Sequence, residues 1–380
     1  MRHCDVAVVG LGLMGSAALE ALVRAGADAL GFDPLGPGAA RGSSHGSCRV
    51  FRRYNFENPN YTALSDTALA GWDRLAKGCG REILIPRPVL EAGPEGSTLV
   101  ADSRKAAMEN GREAPLLKGA DINAMFPAFA LPSHWDAVVQ DGGAILLAQV
   151  ALEAMRANAR GQVIAETAAI EPHRDHIVVR TASETVMAQR AIVALGPWTA
   201  SALPELAPVL EVTRQAVGWF RPARPDQVTP DDFPIFILAR DPRDTVYGFP
   251  DFEGRGVKAA AHDHGPRVDA DDWGPPATDE ELEPVATALA ELIPGAAGPI
   301  VERDICLYTN TRPADRRPDA GEEFIIDRLA SNPRLIVASP CSGHGAKFAP
   351  AIGEILAKLA LDPGYQAEPC FRLSRYSAFA

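Results

Sequence analysis

A short apolar run over 5–9 stops at Gly10, and apolar residues then recur at helical spacing over 13–24. A second apolar run over 27–32 is closed by Asp33 and Pro34. Short apolar runs bounded by turn residues predict buried strands, and a period near 3.6 predicts a helix. Strand, helix and strand in this order predict a parallel pair joined by a right-handed crossover. A Gly/Ser/Pro-rich loop follows over 34–47, then a helical pattern over 59–76. Further on, the pattern predicts a helix over 148–159 and strands over 162–165, 176–180 and 190–195. From 211 to 262 it turns β-rich and aromatic, with strands over 217–220, 235–238, 246–249 and 257–261. A Glu/Ala-rich helix over 278–293, strands over 305–309, 323–326 and 335–338, and a last helix over 345–361 complete the chain. No solenoid-period repeat interrupts this order. The expectation is a mixed α/β protein. A Rossmann-like cofactor domain would be assembled from 1–80, 140–205 and 320–380, with a β-rich substrate domain from 81–139 and 206–319 inserted in it.

Composition narrows the partners. A net charge of -12 speaks against a nucleic-acid partner, which favours a basic face. No apolar run reaches membrane-spanning length and no secretory signal is visible at the start, so a cytoplasmic protein is the expectation. Cys4, Cys48, Cys79, Cys306, Cys341 and Cys370 are scattered, which indicates neither a zinc site nor a disulfide framework. His262 and His264 are two apart, with no cysteine or third histidine near them in sequence, so no metal is expected.

Four segments carry candidate chemistry. Gly10-Leu11-Gly12-Leu13-Met14-Gly15 lies between a predicted strand and a predicted helix, and Asp33 follows Gly15 by 18 positions (33 minus 15). That context reads as a dinucleotide site: Gly10 for the tight turn, Gly12 for close backbone approach to the pyrophosphate, Gly15 for helix–strand packing. The helix N-terminus would face the phosphates and Asp33 the ribose hydroxyls. The segment 41–53 places Arg49, Arg52 and Arg53 behind the small residues Gly42, Ser43, Ser44 and Gly46. Arginine suits bidentate binding of a carboxylate or phosphate, although alone this segment reads as a solvated basic turn. Ser342-Gly343-His344-Gly345-Ala346-Lys347-Phe348 opens the last helix, a second anion-friendly terminus with a lysine among apolar residues. Its bland alternative is a helix cap with a surface lysine. Cys306, in Asp304-Ile305-Cys306-Leu307-Tyr308-Thr309, sits on an apolar strand, where a cysteine is ordinarily an inert buried hydrophobe.

Taken together and in this order, these segments resemble the monomeric sarcosine oxidase and N-methyltryptophan oxidase family of D-amino-acid-oxidase-like FAD enzymes. Phe324-Ile325-Ile326-Asp327, Arg214-Gln215 and Tyr247-Gly248-Phe249-Pro250 are similar too, so the resemblance spreads over nearly the whole chain. It implies FAD held covalently at Cys306 through the 8α-methyl group. It places Lys258 beside the flavin to activate oxygen, and His45 and Arg49 next to the flavin ring. Arg52 and Lys347 would bind a substrate carboxylate, with His262, Tyr247 and Tyr308 around the substrate. Ser43, Ser44, Gly343, Gly345 and Lys347 would border the cofactor with Leu13, Met14 and the glycine loop. The implied reaction oxidises a secondary amine with oxygen to an imine, then an aldehyde, and hydrogen peroxide, in a monomeric enzyme. Cyclic or fructosyl amino acids fit the same clamp. A dehydrogenase with another electron acceptor, and a protein with a purely structural flavin, are the competing readings. The stretch 312–319 looks longer than in sarcosine oxidase, Pro340-Cys341 replaces a glycine and an apolar residue, and 251–256 carries extra charge. All three could border the substrate, so the particular amine stays open.

Overall fold

A computed structural model describes residues 1–379 apart from 37, 38, 40, 59, 242, 243, 263, 264 and 316–322. His264 and part of the stretch 312–319 thus lie outside the described residues. The first apolar run becomes the strand Arg2–Val9, flanked by the parallel strands Ala29–Phe32 and Thr185–Val193. Leu335–Ser339 pairs parallel to Thr185–Val193. An antiparallel hairpin, Ala169–Pro172 with Ile177–Arg180, extends the sheet on that side. Alternate residues of Arg2–Val9 enter two different cores: Val6 and Val8 share one with Leu22 and Ile352, whereas Ala7 and Val9 share the other with Leu206 and Val337. A strand buried on both faces has no polar alternation, which is why it reads as one apolar run. The helices Leu13–Arg24 and Ala349–Leu361 cross so closely that a Cβ on Gly353 would come 2.5 Å from the Ala17 carbonyl oxygen.

The β-rich region forms a second sheet, in which Ile300–Thr311 pairs with Leu210–Phe220, followed by Val257–His262, Asp244–Phe249 and Ile235–Asp241. Val89–Gly93 and Asp136–Gln140 continue it. Several elements run longer than the apolar pattern predicts. The strands expected over 217–220 and 305–309 are Leu210–Phe220 and Ile300–Thr311, which put Gln215 opposite Cys306. The last helix opens as a 3₁₀ turn, Ala346–Phe348, before becoming α-helical at Ala349–Leu361. The basic segment expected as a loop contains the strand Cys48–Phe51, which pairs with Ala144–Leu147. Pairing with a partner distant in sequence overrides local polarity here.

Candidate active site

The carboxyl ends of the parallel strands open on one cavity of about 590 Å³. Gly10, Asp33, Ala194 and Ser339 all border it, so it lies in the crevice where open α/β sheets take their ligands. The glycine loop has little room for side chains. Gly10 has φ +88°, and a Cβ there would lie 2.5 Å from the Ala194 carbonyl oxygen. A Cβ on Gly15 would lie 1.8 Å from the Gly10 carbonyl oxygen, and one on Gly12 would meet Ser44 Oγ at 2.9 Å. Leu13 donates its N–H to Ser44 Oγ at 3.0 Å, and Leu13 and Met14 carry the helix along the cavity wall. Asp33 accepts from the N–H of Leu11 at 2.6 Å and of Leu35 at 2.7 Å. Ser43, also on the wall, holds a buried hydroxyl with no partner among the described residues. A long ligand with hydroxyl and phosphate groups matches this lining, from Asp33 at one end to Cys306, Gly343 and Gly345 at the other. Arg156 borders it as well, and nothing in the sequence marks that residue: it is one arginine on a helix.

A smaller pocket of about 90 Å³ adjoins the cavity. Both are bordered by His45, Arg49, Cys306, Tyr308 and Gly343. Arg49 donates to the carbonyls of Cys48 at 2.7 Å, Ser43 at 2.9 Å and His45 at 2.6 Å, which fixes its guanidinium 3.9 Å from Cys306 Sγ. Burial pushes the Cys306 thiol up, and Arg49 and Lys258 pull it back toward the thiolate. His45 places Nδ1 2.7 Å from the Gly42 carbonyl and Nε2 3.4 Å from Asp304. Burial pushes the Tyr247 hydroxyl up to about 12, and that of Tyr308 well above its ordinary value, so both stay neutral donors. The His262 ring lies 6.2 Å from that of Tyr247 and 6.1 Å from that of Tyr308. Ser342 is the one non-glycine residue with positive φ among those described, at 39°, and Gly343 follows at 72°. A Cβ on Gly343 would strike Tyr308 at 2.5 Å, so this turn needs glycine to bring its backbone against the pocket. Lys347, expected on both sides, borders the smaller pocket and not the larger cavity.

Three buried cations border the smaller pocket, and they differ in their counterions. Lys258 lies directly across the sheet from Trp219 and Phe249, with its Nζ 5.3 and 5.6 Å from their ring centres and 3.6 Å from Cys48 Sγ. Arg52 is bonded to Glu57 and, at 3.1 Å, to Glu91. Glu91 is fully buried and accepts also from Ser103 and, at 2.9 Å, from Gln140. Lys347 lies 3.7 Å from Glu57 and donates to the His344 carbonyl at 2.9 Å. Burial lowers Lys347 to about 7, against the opposing pull of Glu57. Glu57 is itself held below the usual carboxylate range: Arg52 and Lys347 outweigh the upward push of its burial. Burial lowers His344 to about 3, so it is neutral. Glu57 and Glu91 were not marked by any motif. A buried Arg–Lys pair needs counter-charges, and that requirement is the one signal that could have found them.

A dinucleotide crevice that adjoins a small, charged, aromatic-walled pocket is an arrangement suited to an oxidoreductase. The chain belongs to the DAO family of FAD dependent oxidoreductases, which it matches over residues 5–359. It is 32% identical over 372 residues to the monomeric sarcosine oxidase of Bacillus sp. (strain B-0618), covering 94% of this chain and 92% of that one. It is 30% identical over 380 residues to the N-methyl-L-tryptophan oxidase of Yersinia pestis (strain Pestoides F), covering 98% and 99%. Its fold is that of NikD, an unusual amino acid oxidase, in its open form, with TM-score 0.80 and 22% identity over 99% of this chain and 97% of that one. Amadoriase II from Aspergillus fumigatus follows with TM-score 0.76 and 18% identity over 100% and 91%. The mixed α/β fold and the family expected from the sequence are both borne out. Among the described residues, no cluster of His, Cys, Asp or Glu could hold a metal, and no helix is long and apolar enough to cross a membrane.

Proposed function

We propose that this chain oxidises a secondary amine bearing a carboxylate, sarcosine or another small N-alkyl amino acid, with oxygen as electron acceptor. One observation carries this reading: Arg52, Lys347 and Lys258, all buried, border one small pocket that shares a wall with the cofactor cavity. FAD, when bound, supplies the two-electron acceptor. Arg52 and Lys347 would hold the substrate carboxylate and so orient its N-alkyl C–H toward the shared wall. Glu57 contacts both cations and would hold them in place, with the substrate carboxylate bound beside it. Arg49 and Lys258 disfavour a further positive charge nearby, which keeps the amine neutral and able to give up electrons. The amine loses two electrons and two protons to become an imine, oxygen becomes hydrogen peroxide, and water splits the imine into an aldehyde and a primary amine. Peroxide release measured across sarcosine, other N-methyl amino acids, pipecolate and a fructosyl amino acid tests the proposal. A flat oxygen trace while a dye is reduced would assign a dehydrogenase instead.

Two further outcomes are expected from this arrangement. The flavin should stay with the protein after acid precipitation, and Cys306→Ala should release the yellow colour to the supernatant. Colour lost from the unmodified protein would remove the thioether and leave noncovalent binding in place. The second outcome concerns pH. Lys347 titrates at about 7 in the free protein, and a bound carboxylate favours its charged form. Binding a carboxylate therefore takes up a proton above that pH. Affinity should be fully present below about 7 and fall as pH rises, by up to roughly tenfold per unit. Propionate titrated into the holoenzyme between pH 6 and 9, read by flavin absorbance, checks this. A pH-independent dissociation constant would mean that Lys347 does not change charge on binding.

A further inference from the structure

The cofactor cavity is bordered by one half-buried charge outside every motif. Arg156, on the helix Ala148–Asn158, has its side chain 11% exposed beside Asp33. Its donors converge on backbone carbonyls of the two loops that form the adenosine end of the cavity. Nε donates to the Leu11 carbonyl at 3.1 Å, and Nη2 donates to the same oxygen. Nη1 donates to the Leu35 carbonyl at 2.6 Å, and Nη2 lies 3.3 Å from Asp33 Oδ2. Ser16 Oγ adds another donor to the Leu11 carbonyl at 2.7 Å.

We propose that Arg156 is a cofactor-positioning residue, which sets the glycine loop so that its backbone N–H groups face the phosphates of the dinucleotide. The argument starts from the peptide unit. In a trans peptide the C=O and the following N–H point in opposite directions, and none of the described bonds is cis. Drawing the Leu11 carbonyl toward Arg156 and Ser16 therefore turns the Gly12 N–H the other way. Gly12 is the N-cap of the helix Leu13–Arg24 and borders the cavity, so this N–H joins the anion-binding end of that helix. The same guanidinium grips Leu35, just beyond the strand Ala29–Phe32, and so holds the glycine loop and the Asp33 loop at one spacing. Leu11 closes the ring, since its N–H goes to Asp33 Oδ2. Arginine keeps its charge at any working pH, so Arg156 also offsets the negative charge of Asp33 close to the phosphates. A residue that only pinned its helix to the sheet would not need to meet both loops of the cavity.

The inference rests on the FAD dependence of the family and is independent of the proposed substrate. Its test uses the full chain carrying Cys306→Ala, freed of flavin, with FAD as ligand and ADP as a competitor that lacks the isoalloxazine. Arg156→Met should weaken FAD and ADP alike, by about tenfold or more, the loss expected when charged hydrogen bonds are removed. Arg156→Gln keeps amide donors without the charge and should fall between. Ser16→Ala should shift both ligands in the same direction by a smaller factor. Melting temperature of the ligand-free forms separates positioning from general destabilisation. Equal FAD and ADP affinities in parent and Arg156→Met overturn the proposal. If the methionine variant does not fold, equal affinities in Arg156→Gln and Ser16→Ala overturn it just as well. A Cys306→Ala parent that binds no FAD would overturn the cofactor assignment itself, and this inference with it.

Discussion

Lys258→Met should slow reoxidation of the reduced flavin by oxygen about a hundredfold, while reduction by substrate stays nearly unchanged. Oxygen is neutral and needs no cation to approach, but its first one-electron product is an anion. A preorganised charge in a site poor in water stabilises that anion as it forms, by roughly 3 kcal/mol for a single group. The setting of Lys258 makes it suited to this. Its side chain is buried, and among the described residues no carboxylate lies within ion-pair distance of it. Its ammonium rests instead between the faces of Trp219 and Phe249 and against the Cys48 thiol. Aromatic faces hold a cation without neutralising it, so its field stays available. Arg52 and Lys347, both matched by Glu57, lack that property. Methionine keeps length and apolar bulk and removes only the charge. Anaerobic mixing with substrate isolates one half-reaction, and mixing reduced enzyme with oxygen isolates the other. If only the reductive half slows, Lys258 belongs to substrate binding and Arg49 becomes the next candidate for oxygen.

Arg52→Ala should combine a large rise in KM for carboxylate substrates with a marked loss of stability. The first effect follows from removing ground-state binding of the carboxylate. The second follows from Glu91, which is fully buried and bonded to Arg52 at 3.1 Å. Removing one partner of a buried ion pair costs about 3–5 kcal/mol, because the group left behind must either keep an unpaired charge or take up a proton. Burial already raises the Glu91 carboxyl above its ordinary value against the pull of Arg52. Without Arg52 it would stay protonated in the folded protein at pH values where the unfolded chain has ionised. The folded state then binds more protons than the unfolded one, so stability falls as pH rises above the ordinary carboxylate value of about 4.5. Melting temperatures between pH 5 and 8 should show the variant losing most at the upper end. Arg52→Ala with Glu91→Gln should recover stability and leave KM high. Recovery of both would show that Arg52 acts on the substrate only through the local fold.

The parts of the site that were legible in the sequence are those built by local chemistry. Gly10, Gly12 and Gly15 serve a turn and a helix start within six residues, and Asp33 follows at the end of the next strand. A tight turn and close approach to a phosphate exclude side chains wherever they occur, so these requirements appear as glycines before any fold is known. Cys306, Lys258, Arg52 and Lys347 were different. Their own surroundings favoured an inert thiol and surface cations, and only their resemblance to a family, taken in order along the chain, gave them roles. The strand Cys48–Phe51 lies in a segment whose own residues predict a solvated basic turn, because its hydrogen-bond partner Ala144–Leu147 lies far along the chain.

By itself the sequence determined the parallel strand–helix–strand start, the β-rich middle, the cofactor loop and the family, because each is written in short-range periodicity, turn chemistry or ordered motifs. Tertiary structure alone decided which polar groups the charges meet. Arg52 and Glu91 are 39 positions apart, Arg156 and Leu11 are 145, Lys258 and Cys48 are 210, and Arg49 and Cys306 are 257. No local pattern encodes such pairs, since either member could be satisfied by water at the surface. The free energy of a buried charge depends on what lies within a few ångströms of it, and that neighbourhood exists only once both sheets have closed around it. For that reason Glu57, Glu91 and Arg156 were invisible along the chain, and they set the charge balance of the site.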